Sequence, residues 1–188
     1  APDPPEEPRV ELLAVEHAGW EEREVELGLA TLALQPWRRA EARAVAARYA
    51  AALVIGSDQV ADCGGEAVGK PGSRTGAIAQ LARLAGRSVV FHTGIALVDA
   101  ASGRVQSRLV DVSSRFRPLS AVEIEHYVDR ERPWDCAGSV KSEGLGIALF
   151  DGIDSDDPTA LVGLPLIAVA AMLRAEGFDV LAPPDAAR

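Results

Sequence analysis

Apolar runs alternate with helix-forming segments along most of the chain. TLAL at 31–34 has the composition of a short strand, the segment 37–51 is rich in strong helix formers, and ALVIGSDQV at 52–60 has the composition of a mostly apolar strand. Further on, the runs at 89–99 and 104–117 are typical of two strands joined by a turn at Ala-Ser-Gly. The pattern therefore predicts a mixed α/β domain in which hairpins interrupt the alternation of strands and helices.

Local signals mark the ends of further elements. Ser73 can cap a helix that continues to Leu84, and Ser120 with Glu123 fits a capping box that opens a helix at 121–130. Asp157 before Pro158 has the composition of a helix start. The remaining predicted elements are the strand LGIALF at 145–150 and the helix PLIAVAAMLRAEG at 165–177.

Two adjacent glycines predict a tight hairpin after the strand 52–60. Gly64 and Gly65 can both adopt the positive φ that such a turn requires. If they form the turn, the numbers of paired residues sum to 129, so that Gln59 faces Lys70. Asp58 is one step away from this pair. The hairpin is thus expected to bring a carboxylate and an ammonium close together.

Asp58 and Lys70 form the first candidate site. An apolar strand would deliver Asp58 to a sheet edge, where a partly desolvated acid can take a proton from water or hold a metal ion. The pair suits phosphate chemistry, because the lysine offsets phosphate charge while the acid activates water or binds a divalent ion. A surface ion pair at a strand end fits the same spacing, and the spacing alone leaves both interpretations open.

The glycine-rich stretch GSVKSEGLG at 138–146 is the second candidate site. In an extended segment Lys141 and Glu143 would project from the same side, and the neighbouring glycines would permit a ligand to approach the backbone. A carboxylate such as Glu143 can accept two hydrogen bonds from the N1 and N2 edge of a guanine, and its charge would favour a cationic base. A glycine-rich surface turn with an ordinary ion pair is the alternative interpretation.

The choice of basic residues points to the same two sites. Of the 19 basic residues, Lys70 and Lys141 are lysines and the other 17 are arginines. Such a ratio indicates a coding bias toward arginine, and a lysine that survives it points to a position where a planar guanidinium would not serve. The histidines His92 and His126 lack metal-ligand spacing and are interpreted as structural or exposed. Asp58 is a candidate metal ligand, and the sequence indicates no other.

The overall charge limits the partners of the chain. The net charge is −9 over 188 residues, with 48% hydrophobic and 25% charged residues, which is typical of one soluble globular domain. Duplex nucleic acid and anionic membranes would repel such a chain, so neither is expected as a partner. A local basic pocket for a small polyanion remains compatible with this charge.

Neither a membrane span nor a disulfide framework is expected. The apolar stretch 160–173 is shorter than the ~20 residues that cross a bilayer and contains Gly163 and Pro165, so it predicts a pair of buried helices. The first residues, APDPPEEP, lack the basic flank and apolar block of a secretory signal. Cys63 and Cys136 are interpreted as two reduced thiols. We therefore expect a cytoplasmic protein.

The composition changes near residue 31. Residues 1–30 contain nine acidic residues, two arginines and four prolines, and their apolar positions show no clean periodicity. We interpret 1–30 as an acidic N-terminal segment, loosely ordered or appended to the domain, without an assigned element. Residues 31–182 are assigned to one domain and 183–188 to a tail.

Five sequence blocks together resemble the Maf family of nucleoside triphosphate pyrophosphatases. They are GSDQV, GKP, HTGIALV, CAGSVKSEGLG and VGLPL, and they follow the family's order and approximate spacing between about residue 42 and residue 181. The resemblance implies a mixed-sheet α/β fold related to inosine triphosphatase, with hairpins and flanking helices. It also implies hydrolysis of a nucleoside triphosphate between the α and β phosphates, a divalent cation (Mg or Mn) as cofactor, and a homodimer.

The resemblance also assigns roles to individual residues. The aspartate of GSDQ is the family's proton acceptor, which corresponds to Asp58, and the lysine of GKP is a phosphate-side group, which corresponds to Lys70. Gln59 and the KSEG form of the later block, with Lys141 and Glu143, are similar to the branch that acts on 7-methyl-GTP. Because 7-methylguanine is cationic, the charge of Glu143 would complement it.

The N-terminus departs from the family pattern. Family members carry a loop of the form S-x-S-P followed by two basic residues, and the nearest match here is LALQPWRRA at 32–40, which contains Pro36, Arg38 and Arg39. Glu41 stands where the family has a lysine. Two functions therefore remain open. One is a working pyrophosphatase in which Arg38 and Arg39 replace the loop, and the other is a nucleotide-binding or regulatory domain with little turnover.

Overall fold

The structure is a computed structural model that describes residues 9–12 and 42–182. The strands are β1 (Arg9–Leu12), β2 (Ala52–Asp62), β3 (Ala67–Val68), β4 (Ser88–Asp99), β5 (Val105–Phe116) and β6 (Phe150–Asp154). The helices are α1 (residues 42–46 of the described chain), α2 (Arg74–Leu84), α3 (Ala121–Glu131) and α4 (Leu166–Ala175). Short 3-10 helices cover Ala137–Ser139, Leu145–Leu149 and Pro158–Val162.

The six described strands form one mixed sheet with a divided outer edge. The strand order is β1-β2-β4-β5-β6, and β3 pairs with β2. β1 runs parallel to β2, and all other pairs are antiparallel. β1 and β3 therefore share the same side of β2, opposite β4. The predicted mixed-sheet α/β fold with hairpins and flanking helices is confirmed.

Alternation along β2 and β4 places different helices on the two faces of the sheet. One face carries Ala61 and Phe91, which pack in a cluster with α2 and α3, and Leu53, which packs against α4. The other face carries Val54 and Val98, which pack with α1. Because successive residues of a strand point to opposite faces, this arrangement determines the face on which each polar residue of β2 lies.

The glycine hairpin has the predicted register. Ala61 pairs with Val68 and Asp62 with Ala67, so the paired numbers sum to 129 as predicted. Gly64 and Gly65 have φ values of 69° and 94°, which a residue with a Cβ adopts only at a cost. The sequence prediction is therefore confirmed for the turn and for the two pairs next to it.

The predicted helix ends are also confirmed. The Ser73 hydroxyl accepts a hydrogen bond from the Gly76 amide at 3.1 Å at the start of α2. At the start of α3, the Ser120 hydroxyl accepts from the Glu123 amide and the Glu123 carboxylate accepts from the Ser120 amide. Donation from the Ser120 amide, the Ser120 hydroxyl and Arg117 lowers the pKa of Glu123 to about 2. Because these bonds involve residues within one turn, the local sequence suffices to specify them.

The predicted strand LGIALF is wrong in most of its length. Leu145–Leu149 is a 3-10 helix, and the strand β6 begins only at Phe150. The reason lies in distant partners: the Leu145 amide donates to the Glu131 carboxylate at 3.0 Å, and the Gly146 amide donates to the Lys141 carbonyl at 3.0 Å. These bonds bend the apolar run into a turn before it joins the sheet.

The apolar stretch 160–173 is only partly buried. Its first part is the 3-10 helix Pro158–Val162, which begins directly after Asp157 as predicted, and its second part lies in α4. Val162, Leu166 and Ile167 are more than half exposed, so the predicted pair of fully buried helices is corrected to an amphipathic pair. No helix in residues 9–12 and 42–182 is long and apolar enough to cross a membrane.

The N-terminal segment contains a strand that the sequence pattern did not predict. Arg9–Leu12 pair with Ala52–Ile55 of β2, so this part of the segment belongs to the sheet. Residues 9–12 are therefore part of the sheet, and the interpretation of the rest of 1–30 remains a prediction. The predicted strand at 31–34 lies outside the described residues, as do Arg38, Arg39 and Glu41. The proposed boundaries at residues 31 and 182 remain predictions. Cys63 and Cys136 are free thiols, as expected.

Candidate active site

Asp58 lies beside the gap in the outer edge of the sheet. β1 pairs with β2 as far as Ile55, and β3 pairs with it from Ala61 onward. Between these two contacts the inner side of β2 is still paired with β4, opposite Gly94 at the level of Asp58. Because β1 is parallel to β2, its carboxyl end points toward this gap. Crevices between diverging strands at carboxyl ends are common ligand sites in α/β sheets.

The Asp58 side chain lies on the same face of the sheet as Val54 and hence as α1. It is half-buried, and one carboxylate oxygen accepts a hydrogen bond from the Gln59 amide at 2.8 Å. This bond restricts the orientation of the carboxylate. A carboxylate held in this way by a paired strand is in a fixed position for proton transfer or cation binding.

Gln59 points to the opposite face, toward the 3-10 helix Pro158–Val162. Its amide nitrogen donates to the Thr93 hydroxyl at 2.9 Å and to the Ala160 carbonyl at 2.7 Å. Thr93 also donates to Ala160, at 2.9 Å. The side chain of Gln59 thus joins β2 and β4 to the 3-10 helix. Its predicted contact with substrate remains a prediction.

Lys70 lies on a loop that is attached to the rest of the site by backbone bonds. The pairing of β3 with β2 ends at Val68, so Lys70 is not paired with Gln59 in the sheet, which corrects the sequence prediction. Instead, the Gly69 carbonyl accepts from the Gly138 amide at 3.3 Å, and the Gly72 amide donates to the Trp134 carbonyl at 3.0 Å. The Lys70 side chain is exposed.

Lys141 and Glu143 lie in a turn and not in an extended segment, which corrects the sequence prediction. The Lys141 carbonyl accepts hydrogen bonds from the amides of Gly144 and Gly146, at 3.1 Å and 3.0 Å. A Cβ on Gly146 would lie 2.4 Å from this oxygen, which only glycine avoids. The turn closes because residues 144 and 146 have no side chains there. Lys141 is half-buried and Glu143 is exposed.

The Cys136 thiol is affected by the charges of the turn. Burial, followed by Asp135 and Glu143, raises the pKa of Cys136 to about 11, and the charge of Lys141 acts in the opposite direction. The charged ends of Lys141 and Glu143 therefore lie in the neighbourhood of Cys136. The structure thus places the candidate residues of the second site around one short segment.

Two further residues hold this segment, and neither was singled out by the sequence. The Tyr127 hydroxyl accepts from the Lys141 amide and donates to the Ser139 carbonyl, both at 3.0 Å. Burial raises the pKa of Tyr127, so its hydroxyl stays protonated and able to donate. Gln80 contacts both Gly69 and Ser139. No local sequence signal identifies them, because their partners lie 11 to 59 positions away.

His92 makes contacts that agree with a structural role. Its Nδ1 lies 2.7 Å from a carboxylate oxygen of Asp111, and its Nε2 lies 3.6 Å from one of Asp62. The strand register explains the first contact, because His92 and Asp111 are paired on β4 and β5. Among residues 9–12 and 42–182, no group of three or more His, Cys, Asp or Glu side chains could hold a metal ion.

A cavity of about 320 Å³ lies away from the candidate residues. It is formed by β5 and the segment that leads into α4, with Arg108, Asp111 and Ile167 among its lining residues. Neither Asp58 nor either lysine lines it. Asp58 lies on the face of the sheet that carries α1, whereas the two lysine-bearing loops are held by α2 and α3, so their common use in one site remains a prediction.

The architecture defines an α/β protein with a divided mixed sheet, a carboxylate at the division, and two lysine-bearing loops bonded to each other. The chain belongs to the Maf family, since the family described as Maf-like protein matches residues 9–176. The match includes β1, which lies outside the blocks that carried the resemblance in the sequence.

Several curated relatives share one name. A protein of Aromatoleum aromaticum named 7-methyl-GTP pyrophosphatase is 60% identical over 138 residues, which is 73% of this chain and 71% of the relative. A protein of Albidiferax ferrireducens with the same name is 55% identical over 142 residues, or 76% and 71% of the two chains. A third, from Thiobacillus denitrificans, is 51% identical over 144 residues, or 77% and 72%.

Proposed function

We propose that this chain is a hydrolase that cleaves 7-methyl-GTP, or a closely related modified nucleotide, to the nucleoside monophosphate and pyrophosphate. The observation that carries this proposal is the identity of 60% with a relative of that name over 73% of the chain. The Asp58 carboxylate supports it, because the hydrogen bond from the Gln59 amide restricts its orientation, as a proton acceptor requires.

Asp58 is the proton acceptor in this reaction. Water attacks the α phosphorus, its proton passes to the Asp58 carboxylate, and the bond from phosphorus to the oxygen bridging the α and β phosphates breaks. The electron pair of that bond leaves with pyrophosphate. Lys70 offsets the charge of the leaving phosphates, which grows as the bond breaks. Lys141 contributes a second positive charge on the neighbouring loop.

The donor set of the site fits a magnesium or manganese ion that is bound together with substrate. Mg²⁺ is commonly held by one or two carboxylates plus phosphate oxygens and water, so Asp58 with a triphosphate is a sufficient set. When bound, the ion would offset negative charge on the phosphates. The described residues would contribute one carboxylate, and the substrate would supply the other non-water ligands.

Glu143 selects the base. Its carboxylate accepts hydrogen bonds from the N1 and N2 edge of the guanine, and its negative charge complements the positive charge of the methylated ring. Replacing Glu143 with Gln keeps the size of the side chain and removes the charge. We expect the preference for 7-methyl-GTP over GTP to fall by roughly tenfold, the typical value of a hydrogen bond to a charged group.

Pyrophosphate release from 7-methyl-GTP, GTP, dTTP and UTP, with Mg²⁺ or Mn²⁺, tests the proposal. The wild-type protein is expected to release pyrophosphate selectively from 7-methyl-GTP, and Asp58→Asn is expected to lose about 10²–10⁴-fold in rate, as for the loss of a general base. Asp111→Asn is the matched control, because Asp111 is an exposed carboxylate two strands away.

Two outcomes would contradict parts of the proposal. Full activity of Asp58→Asn would remove that residue from the role of proton acceptor. A folded wild-type protein that binds nucleotide but releases no pyrophosphate would favour the second function, a nucleotide-binding or regulatory domain with little turnover. The residues on which that choice depends, Arg38, Arg39 and Glu41, lie outside the described part of the chain.

We further propose that the protein acts in the cytoplasm as a homodimer. The homodimer follows from the resemblance to the family, and the exposed apolar side chains of Val162, Leu166 and Ile167 are compatible with a contact between two copies. Sedimentation equilibrium tests the oligomeric state directly, and a monomer at assay concentration would contradict it.

A further inference from the structure

One side chain joins the two loops that carry the lysines. Gln80, in the middle of α2, donates from its amide nitrogen to the Gly69 carbonyl at 3.0 Å. Its amide oxygen accepts a hydrogen bond from the Ser139 hydroxyl. Gly69 directly precedes Lys70, and Ser139 is two residues before Lys141. Gln80 therefore contacts both loops within two residues of the lysines.

The part of this connection that runs through Ser139 is held in place by burial and by hydrogen bonds. Ser139 is fully buried and has a φ of 58°, a conformation that a residue with a Cβ adopts only when its surroundings hold it. Its hydroxyl is held by Gln80 and its carbonyl by the Tyr127 hydroxyl. Tyr127 in turn accepts from the Lys141 amide. A continuous series of hydrogen bonds thus runs from Gly69 to Lys141.

Residue 80 needs an amide side chain to bond both of its partners. A glutamine offers a donor and an acceptor in one neutral group, and here both are used. A glutamate would keep the acceptor for Ser139 and lose the donor to Gly69, and a methionine of similar size would lose both. The backbone contact between the loops at this level is the longer bond from Gly138 to Gly69, at 3.3 Å.

We propose that Gln80 is a positioning residue that sets the spacing between Lys70 and Lys141 for the phosphates of the substrate. The proposal rests on the proposed function, because it takes the phosphates as the group that both lysines contact. Gln80 acts through the two loops, and its own side chain is occupied by protein partners. It is distinct from Asp58, which lies on β2 and does not belong to this series of bonds.

The expected effect is on substrate binding and is shared by all nucleotides. Without the link, the loops stay joined by the bonds from Gly138 to Gly69 and from Gly72 to Trp134, so the separation of the two lysines is held less tightly but is not lost. We expect Gln80→Met to raise KM about tenfold, corresponding to the loss of one or two hydrogen bonds of typical value, with a smaller change in kcat. The ratio of 7-methyl-GTP to GTP turnover should stay constant, because Glu143 is not part of the link.

Gln106 provides a matched control elsewhere in the fold. It is also a half-buried glutamine that bridges two elements, donating to the Met172 carbonyl at 3.0 Å and to Glu176 at 2.6 Å. Gln106→Met removes comparable bonds between β5 and the end of α4. A general loss of stability would affect both variants alike, whereas a positioning role predicts that only Gln80→Met raises KM. Gln80→Glu should show an intermediate KM.

A double-mutant cycle measures the coupling that the proposal requires. We expect Lys70→Ala and Lys141→Ala to be non-additive in kcat/KM when Gln80 is present, and additive in the Gln80→Met protein. Equal coupling in both backgrounds would overturn the proposal. So would a wild-type KM in Gln80→Met, or an equal rise of KM in Gln106→Met.

Hydrogen exchange separates this proposal from the proposed function. In the Gln80→Met protein without nucleotide, the amides of Gly72 and Lys141 should exchange faster than in the wild type, while those in β4 should be unchanged. If the wild type has no hydrolytic activity, binding of inorganic pyrophosphate replaces KM as the readout, and the same weakening is expected. Unchanged exchange in both loops would show that Gln80 does not connect them.

Discussion

Segments 52–70 and 134–150 both carry candidate site residues, but their structures have different origins. The first is a strand followed by a hairpin that closes within the segment, with a turn at Gly64 and Gly65, although the strand itself also pairs with β4. The second is a series of turns held by side chains of α2 and α3, among them Gln80, Tyr127 and Glu131. The first followed the sequence pattern as far as Val68, and the second did not.

Sequence patterns stop being informative where the bonding partners of a segment lie far from it along the chain. A β-turn register needs only the residues of the turn, so two glycines were enough to give the pairing. The segment 145–149 has the composition of a strand, but its amides donate to the Glu131 carboxylate, 14 positions away, and to the Lys141 carbonyl. Propensity is a weak prior that tertiary contacts override.

Gly146→Ala should have the largest effect on the fold. A Cβ at residue 146 would lie 2.4 Å from the Lys141 carbonyl oxygen and 2.8 Å from its nitrogen, and both are backbone atoms that cannot rotate away. We expect a loss of roughly 1–3 kcal/mol in the free energy of unfolding, as for overpacking, together with a raised KM. Urea unfolding measures the first quantity. A variant as stable as the wild type would show that the turn is not closed as described.

Gly65→Ala should have the next largest effect, because the strain is in the backbone alone. Residue 65 has a φ of 94°, and a Cβ added there would meet no atom within 4 Å. We expect a loss of about 1–2 kcal/mol from the left-handed conformation. Gly69→Ala is the matched control, since that position is also open and φ is not positive there. An equal loss in both variants would contradict the explanation from φ.

Ser142→Ala should have a smaller effect with the opposite sign. The Ser142 hydroxyl is buried and has no hydrogen-bond partner among the described residues, and because the residue as a whole is only half-buried we expect a cost at the low end of the usual range, about 1 kcal/mol. Replacing it with a methyl group removes this cost and leaves the turn intact. The thermal midpoint should rise by a few degrees. A decrease would indicate that the hydroxyl has a partner in solution.

The smallest expected effect is on the reactivity of the Cys136 thiol, which reports on the charges close to it. Because burial and the charges of Asp135 and Glu143 raise the pKa of its thiol to about 11, alkylation at pH 8 should be slow although the residue is only half-buried. Glu143→Gln removes one of these charges, so the pKa should fall and the rate should rise a few-fold. An unchanged rate would place Glu143 away from Cys136. Asp111→Asn serves as the distant control.

The sequence determined the features whose partners are close along the chain. The hairpin register, the caps of α2 and α3, and the strand that carries Asp58 all depend on spacing within a few residues. The five blocks that resemble the Maf family identified Asp58, Lys70 and Glu143 in the same way, and the family itself is confirmed. Their roles as site residues remain predictions.

Only the tertiary structure decided which side of the sheet each residue faces and what holds the loops. β1 joins the sheet by pairing with the edge of β2, although the polar-apolar alternation of its four residues does not continue beyond Leu12 in the sequence. The loops with Lys70 and Lys141 meet through backbone bonds and through Gln80, which lies 11 positions from one partner and 59 from the other. The physical reason is that a hydrogen bond depends on distance in space, and beyond a few residues a spacing along the chain no longer determines that distance.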